Sequence, residues 1–172
     1  MKLLGTVEEK NINTSLVTLK RISTRAIILK EDKILLVYSN MFHDFVTPGG
    51  GIKEKEQLEE GLKREIREEI GGLIKKASPL GYIDEYRTVN GEVFCQKNYY
   101  FLVEIDHFIP PNRDTDEIIY GMESRWVSID EAIKQNELEI KRRSNGEVHL
   151  VHPYTTLKRE NMILDYIKEH VL

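Results

Sequence analysis

Apolar residues recur along this chain in two rhythms, one typical of strands and one typical of helices. Short β-branched and aliphatic runs at residues 24–29 and 34–38, separated by four charged residues, predict a β-hairpin. Longer runs at 80–88 and 93–105 predict two further strands, joined at Asn90-Gly91, a pair typical of the type I′ turn. The chain is therefore expected to contain a sheet with hairpin connections.

The helical rhythm is clearest between residues 57 and 70. Apolar positions recur there every fourth residue, at Leu58, Leu62, Ile66 and Ile70. This spacing predicts an amphipathic helix with one buried stripe. Gly71 and Gly72 follow directly and predict the helix end, because glycine tolerates the left-handed conformation common at that position.

Two more helices are expected in the C-terminal third. Trp126-Val127 predicts a short strand, and Ser128-Ile129-Asp130-Glu131 after it has the capping-box spacing of a helix start. Residues 154–171 predict a last helix, and residues 110–117, which begin with two prolines, predict a polar loop. This order of elements favours an α/β fold with a mixed sheet covered by helices, in one domain over residues 1–172.

Composition narrows the function classes. The chain has 172 residues, of which 40% are hydrophobic and 31% charged, with a net charge of −4 that argues against a general nucleic-acid binder. The basic run Lys141-Arg142-Arg143 is interpreted as a solvated turn. No apolar stretch of about 18 residues predicts a membrane span, and no apolar run near the N-terminus predicts a signal peptide. Cys95 is the sole cysteine, so we expect a reducing, cytoplasmic setting without disulfides.

The central helix carries three acidic residues close together. On a helical wheel, Glu65, Glu68 and Glu69 lie along one edge of the buried stripe. Carboxylates this close destabilise an isolated helix, and a bound cation with a preference for oxygen ligands, Mg²⁺ or Mn²⁺, relieves the repulsion. The glutamates alone fit a solvated acidic face equally well.

A glycine loop precedes this helix. Phe45-Val46 leads into Pro48 and then Gly49-Gly50-Gly51, where backbone can approach a ligand closely and a free carbonyl can join a metal site. Loop and helix together are expected to form two walls of one pocket.

The full spacing resembles a known motif. Gly50, Glu56, Arg64-Glu65-Ile66, Glu68-Glu69 and Gly71 are spaced as in the Nudix box of MutT-like pyrophosphohydrolases. One position departs from it, because Gly72 stands where the box has an aliphatic residue. The resemblance implies an α/β/α sandwich with a mixed sheet and divalent-metal hydrolysis of a nucleoside diphosphate linked to another group.

The resemblance also implies roles for individual residues. Glu65, Glu68 and Glu69 would bind Mg²⁺ or Mn²⁺ together with the Gly49 carbonyl, and one of these carboxylates would activate water. Arg64 would orient the glutamates, and Glu56 would hold the loop against the helix. Some relatives use a glutamate from a distant loop as base, for which Glu117 and Glu123 are both candidates.

Substrate contacts are less constrained by the sequence. Tyr82, Tyr86 and Arg87 on a predicted strand, together with Phe45 and His43, could stack on a base or pair with phosphate. Packing in the core or hairpin is the competing interpretation for each. The expected partner is a small nucleoside diphosphate derivative rather than a nucleic-acid polymer or a membrane, and the oligomeric state, a homodimer included, is left open.

Two other functions and one other site compete with this interpretation. A nucleotide-sensing module on the same fold would bind without hydrolysis, although it would not need all the glutamates. An isoprenoid diphosphate isomerase would need a protonating cysteine, and Cys95 has no distinctive sequence context. His149 and His152, with Glu147 nearby, could ligate a metal, but a strand end and a helix start are the favoured interpretation.

Overall fold

The computed structural model describes residues 1–146 and 152–172. The strands along these residues are β1 (Leu3–Glu8), β2 (Val17–Ile27), β3 (Leu29–Lys30), β4 (Lys33–Ser39), β5 (Phe45–Val46), β6 (Gly49–Gly51), β7 (Gly72–Val89), β8 (Glu92–Phe108) and β9 (Met122–Val127). The α-helices are α1 (Leu58–Ile70), α2 (Thr115–Ile119), α3 (Ile129–Ser144) and α4 (Tyr154–His170). None of the helices in this part of the chain is long and apolar enough to cross a membrane.

The strands form two sheets. The larger has the order β1-β7-β8-β2-β6 and is mixed, because β1–β7 and β2–β8 pair in parallel whereas β7–β8 and β2–β6 pair antiparallel. In the smaller sheet, β4 pairs antiparallel with β3, β5 and β9. The predicted mixed sheet with hairpins is confirmed, including the β7–β8 turn, where Asn90 and Gly91 both have positive φ as a type I′ turn requires.

Helices cover both faces of the larger sheet. Successive strand residues point to opposite faces, so Ala26 and Ile27 of β2 belong to different layers. Ala26 packs in an apolar cluster with Leu62 and Ile66 of α1, whereas Ile27 packs in a second cluster with Leu164 of α4. The α/β/α arrangement expected from the sequence is therefore present.

The first helix begins and ends where its sequence predicts. The Glu60 carboxylate accepts a hydrogen bond of 3.0 Å from the backbone N–H of Gln57, just before the helix. Gly71 ends the helix in the left-handed region, with φ of 70°, and its N–H is bonded to the last carbonyls of α1. Leu62, Ile66 and Ile70 are buried as the periodicity predicts.

The structure corrects several predicted boundaries. The strand expected at 24–29 changes sheets, since β2 ends at Ile27 in the larger sheet and Leu29–Lys30 pairs with β4 in the smaller one. The glycine loop is in part an edge strand, because Gly49–Gly51 pairs with Ser23–Arg25 of β2. The polar loop after Pro110 contains the short helix α2, whose N-cap Asp114 accepts a hydrogen bond from the N–H of Glu117.

The basic run at 141–143, predicted as a solvated turn, lies in the last turns of helix α3, and only its first two residues are exposed. Arg143 is only 7% exposed, at the end of α3. Its guanidinium donates to Asp44 Oδ2 at 2.8 Å and to the Phe42 carbonyl at 2.9 Å. His152 Nδ1 lies 3.0 Å from the same Asp44 oxygen, and these partners hold the pKa of Asp44 below its usual range although burial alone would raise it. Arg143 therefore fastens α3 to the residues ahead of β5.

The departure at Gly72 has a packing cause. A Cβ atom at this position would lie 2.9 Å from Ile66 Cγ2 and 3.0 Å from Ile105 Cδ1, so neighbouring isoleucines fill the space of an aliphatic side chain. We expect Gly72→Val to lower the free energy of unfolding by about 1–3 kcal/mol, since it overpacks the core. Urea denaturation measures this change. Gly91→Val is the comparison variant, because it strains the backbone at a positive φ but meets no atom within 4 Å of the Cβ position, and so shows the cost of strain without overpacking. A stabilised Gly72→Val protein would contradict the packing explanation.

Candidate active site

The helix α1 and the edge strand β6 meet at a distance that only glycine allows. The N–H of Gly49 donates a hydrogen bond of 2.7 Å to Glu69 Oε2, across the interface between strand and helix. A Cβ atom at Gly50 would lie 2.5–2.8 Å from the carboxylate atoms of Glu65. The glycines thus bring backbone against two of the three glutamates predicted from the helix pattern.

Glu69 is a buried carboxylate with one identified hydrogen-bond donor. Glu69 is only 6% exposed. Burial, together with the neighbouring carboxylates of Glu117 and Glu65, raises the pKa of Glu69 to about 8, although the Gly49 N–H and Arg25 lower it. A carboxylate in this position has a strong electrostatic reason to share its charge with a cation.

Arg64 gathers the remaining acidic groups of the motif. Its guanidinium bonds both oxygens of Glu56, at 2.7 and 2.8 Å, and Glu65 Oε1 at 2.6 Å. It also reaches Glu68 Oε2 at 3.3 Å and the Gly51 carbonyl at 3.1 Å. The bidentate bond to Arg64 lowers the pKa of Glu56 to about 2. This arginine therefore ties the loop before α1 to the glutamates on the helix.

The donor set suits a hard divalent cation. Glu65, Glu68, Glu69 and the Gly49 carbonyl are oxygen donors of the type that Mg²⁺ and Mn²⁺ prefer. Within residues 1–146 and 152–172, however, no group of three His, Cys, Asp or Glu side chains converges on one point. Glu65 and Glu68 turn toward Arg64 whereas Glu69 turns toward Gly49. The residues fit a metal by chemistry and by the burial of Glu69, and binding would draw Glu65 and Glu68 away from Arg64.

Sequence reasoning missed Arg25, which supports the glycine strand from β2. Its Nη1 atom donates to the carbonyls of Thr47 and Gly49, each at 3.0 Å. The Gly49 carbonyl retains a second lone pair for another partner. A charged residue at an otherwise buried strand position was the signal available in the sequence.

The structure distinguishes the two candidate bases. Burial raises the pKa of Glu117, and its charge interacts with that of Glu65 and with that of Glu69. Glu123 instead forms an ion pair with Arg125, and this bond lowers the pKa of Glu123. The fold brings Glu117 close to Glu65 and Glu69, whereas Glu123 is paired with Arg125 on β9.

The predicted substrate residues do not form one group. Tyr82 and Tyr86 lie on one face of β7, and Tyr82 packs beside Tyr99, with their ring centroids 5.5 Å apart. Arg87 lies on the opposite face, 3.5 Å from Glu85. Phe45 is 4% exposed, in the core against Tyr38, so its expected stacking on a substrate is not supported by its position.

The two histidine candidates also separate. His43 is exposed, with Nδ1 3.1 Å from the Tyr38 hydroxyl. His152 contacts Asp44 just ahead of α4, away from the glutamates. His149 and Glu147, the other residues of that predicted metal site, lie outside the described residues.

A buried polar network braces the glycine strand from behind. Glu160 of α4 accepts a hydrogen bond of 2.8 Å from the N–H of Thr47. Glu160 also contacts Arg159, which donates to Glu85 at 2.9 Å and to Asn98 at 2.8 Å. Helix α4 thereby fixes the entry to β6.

The comparisons with known proteins agree with this architecture. The model of the NUDIX domain family matches residues 19–148, which is most of the sequence, and the chain therefore belongs to that family. The resemblance recognised in residues 50–72 is confirmed. A solved structure described as a NUDIX hydrolase from Nitrosomonas europaea is 22% identical and has a TM-score of 0.51, covering 77% of this chain and 93% of that one. It supports the fold.

The curated relatives match this chain over part of their length. Diphosphoinositol polyphosphate phosphohydrolase 3-alpha of Mus musculus is 28% identical over 106 residues, which cover 61% of this chain and 60% of that protein. Nucleoside triphosphatase NudI of Escherichia coli O81 is 30% identical over 87 residues, covering 49% of this chain and 62% of that protein. The alignments thus span about three-fifths of the length of these relatives.

Proposed function

We propose that residues 1–172 act as one NUDIX hydrolase domain that uses Mg²⁺ or Mn²⁺ to cleave a diphosphate bond. The proposed substrate is a nucleoside diphosphate linked to another moiety, such as a nucleotide or a nucleotide sugar. The observation that supports this best is the buried Glu69 carboxylate, held against the Gly49 N–H beside Glu65. Relatives named as a phosphohydrolase and a triphosphatase support a phosphate anhydride as the bond that is cut.

The residues of the site divide the work between binding and proton transfer. Glu65, Glu68, Glu69 and the Gly49 carbonyl would hold the metal, which neutralises phosphate oxygens and favours attack by water when bound. Arg64 and Glu56 position the glutamates and the loop through their bidentate bond. Glu117 is the proposed acceptor of the water proton, because a carboxyl group with a raised pKa is a better base near neutral pH.

The test is hydrolysis of a substrate panel with and without metal. Nucleoside triphosphates, ADP-ribose, nucleotide sugars, dinucleoside polyphosphates and diphosphoinositol polyphosphates are each incubated with Mg²⁺, with Mn²⁺ and with EDTA. The products of diphosphate cleavage (phosphomonoesters, nucleotides, pyrophosphate or phosphate) are separated and measured. We expect turnover of at least one substrate with metal, and none with EDTA. Glu65→Gln should lower kcat by about 10²-fold or more, a loss of about 3 kcal/mol of transition-state stabilisation.

Glu59→Gln is the matched control for that variant. Glu59 lies on the exposed side of the same helix, so the same chemical change there should leave kcat within about twofold. Wild-type turnover by a folded Glu65→Gln protein would overturn the assignment. Stabilisation by Mg²⁺ without turnover of any substrate would favour the alternative, a nucleotide-sensing module.

A further inference from the structure

One face of the larger sheet carries an arginine cluster that the proposed hydrolysis does not use. Register places Arg21 and Arg25 of β2 on the same face as Arg87 of β7, because residues two apart along a strand share a face. Helix α4 packs on this same face, and its residue Arg159 donates a hydrogen bond to Glu85. We call these four residues, Arg21, Arg25, Arg87 and Arg159, the arginine cluster.

Only two of the four arginines, Arg87 and Arg159, form ion pairs within the described residues. Glu85 and Glu160, 0% and 1% exposed, lie in direct contact with Arg159, and Glu85 is also 3.5 Å from Arg87. Arg25 donates to backbone carbonyls and forms no ion pair within the described residues. Arg21 likewise forms no ion pair there. Glu65 and Glu9 interact electrostatically with Arg21 and Arg87, respectively, without forming ion pairs with them. Two of the four guanidinium groups, those of Arg21 and Arg25, thus have no ion-pair partner within the described residues.

Two members of the arginine cluster, Arg21 and Arg87, are accessible to solvent. Arg159 is 1% exposed, whereas the Arg87 side chain is 19% exposed and Arg21 is exposed. Nη1 of Arg87 is buried and has no hydrogen-bond acceptor among the residues that the structure describes. Burial lowers the pKa of Arg87, and the charges of Arg159 and Arg21 lower it further, whereas Glu85 raises it. An anion arriving here would relieve this repulsion.

The arginine cluster adjoins the glycine strand. The guanidinium of Arg21 lies over Gly51, with Nη2 2.7 Å from the position that a Cβ atom would take. Arg25 holds Gly49, which is bonded to Glu69. Gly49 and Gly51 are about 7 Å apart along this edge strand, and Gly50 between them faces Glu65 on the other side of the strand. A substrate lying at the glutamates would therefore reach Arg21 by passing around the edge of the sheet.

We propose that Arg21 and Arg87 form a specificity subsite for phosphate groups beyond the diphosphate that is cleaved. This proposal rests on the proposed function, since it takes the glutamates as the place of cleavage. Guanidinium groups form paired, charge-assisted hydrogen bonds with phosphate oxygens. The substrate class is therefore a phosphate anhydride carrying at least one additional phosphate group, rather than a simple sugar diphosphate.

Binding of a phosphate probe in EDTA tests the subsite without hydrolysis. Inorganic tripolyphosphate and inositol hexakisphosphate, one linear and one ring-borne cluster of phosphates, are titrated calorimetrically into wild type and the variants Arg21→Gln and Arg87→Gln. We expect wild type to bind at least one probe, and each variant to raise its Kd about tenfold. Added NaCl should weaken binding to wild type more than to the double variant, because fewer charges remain to be screened.

Lys20→Gln is the matched control. Lys20 is exposed on the opposite face of the same strand, next to Arg21, and the variant loses the same charge. It should bind like wild type. Equal Kd values for Lys20→Gln and Arg21→Gln, or no binding of either probe by wild type, would overturn the proposal. If Arg87→Gln lowers the melting temperature, its effect on binding could reflect partial unfolding. Arg21→Gln then decides the question, because Arg21 is exposed and its replacement should leave the fold intact.

Kinetics separate this proposal from the one on which it rests. For an active enzyme, Arg21→Gln should raise KM for a nucleoside triphosphate about tenfold, yet change KM for ADP-ribose less than twofold. Equal effects on both substrates would sink the subsite and leave metal-dependent hydrolysis intact. Arginine-dependent binding of a probe by a protein that hydrolyses nothing would keep the subsite and remove the hydrolase assignment.

Discussion

Glu69→Gln is expected to lower metal-dependent hydrolysis by about 10³-fold, a loss of about 4 kcal/mol, while making the metal-free protein more stable. The glutamine carbonyl can still accept the 2.7 Å hydrogen bond from Gly49, so the local structure keeps its link between strand and helix. The variant lacks the negative charge that would bind a cation. Activity and stability should therefore change in opposite directions.

The stability gain follows from the sign of the pKa shift. Burial raises the pKa of Glu69 to about 8 from the 4.5 of an ordinary glutamate, so the folded protein binds this proton more tightly than the unfolded chain does. Ionisation of Glu69 then reduces stability progressively as the pH rises from about 4.5 to about 8. Glutamine stays neutral, so its advantage over wild type should grow across that window and level off above it.

Urea denaturation in EDTA between pH 5 and pH 9 measures this advantage. Glu137→Gln, at an exposed position of α3, is the control and should change stability by less than about 0.5 kcal/mol at any pH. Adding Mg²⁺ should stabilise wild type more than Glu69→Gln, since a ligand that binds only the folded state raises its stability. A Glu69→Gln protein less stable than wild type at pH 9 would show that the charge of Glu69 is well compensated without metal.

The parts of this site that the sequence predicts are local. Glu65, Glu69 and the buried stripe of α1 follow from a 3.6-residue period, and Gly71 ends the helix as its conformational freedom allows. Glu56 and Arg64 are eight residues apart and meet within one loop-helix unit. Short sequence separation lets helix geometry alone decide which of these side chains meet.

Long-range contacts escaped the same reasoning. Asp44 and Arg143 are 99 residues apart, and Glu85 and Arg159 are 74 apart, so their pairing depends on how whole elements pack. A lone charged residue in a strand or a helix gives no indication of its partner. The run at 141–143 therefore looked like a solvated turn, although the core requires its last arginine.

The grouping of Tyr82, Tyr86 and Arg87 as substrate residues could have been corrected from the sequence. Tyr82 and Tyr86 share a strand face, whereas Arg87 is separated from them by odd numbers of residues and must point the other way. The same alternation groups Arg87 with Glu85, and Arg21 with Arg25. Applied to the strands, the two-residue period separates the aromatic face from the arginine cluster.

Arg159→Met is expected to lower the free energy of unfolding at pH 7 by about 3–5 kcal/mol. Methionine has a similar length but no charge, so Glu85 and Glu160 would be left buried without their shared cation. Asn98 would lose a 2.8 Å hydrogen bond at the same time. Arg87, 3.5 Å from Glu85, can compensate only in part. Chemical denaturation of both proteins gives the difference directly.

The pH dependence of that loss has a definite sign. In wild type, burial opposes ionisation of Glu85, but Arg159 and Arg87 hold its pKa below the 4.5 of an ordinary glutamate. Glu85 therefore contributes stability above about pH 4.5, and this contribution is lost as the pH falls through its folded pKa. Without Arg159, burial should raise the pKa of Glu85, so ionisation would then destabilise the variant. The gap between the two proteins should consequently shrink as the pH falls from 7 toward 4.5.

Two further variants separate charge from packing. Glu85→Gln combined with Arg159→Met removes an uncompensated carboxylate and should recover part of the lost stability. Arg142→Met, with a side chain 55% exposed beside Glu139, should cost less than about 1 kcal/mol. If Arg159→Met cost no more than Arg142→Met, or if its loss were the same at pH 4.5 and pH 7, the network around Arg159 would not be held by the charges of Glu85 and Glu160. The entry to the glycine strand, bonded to Glu160 through Thr47, would then owe its position to apolar packing of α4.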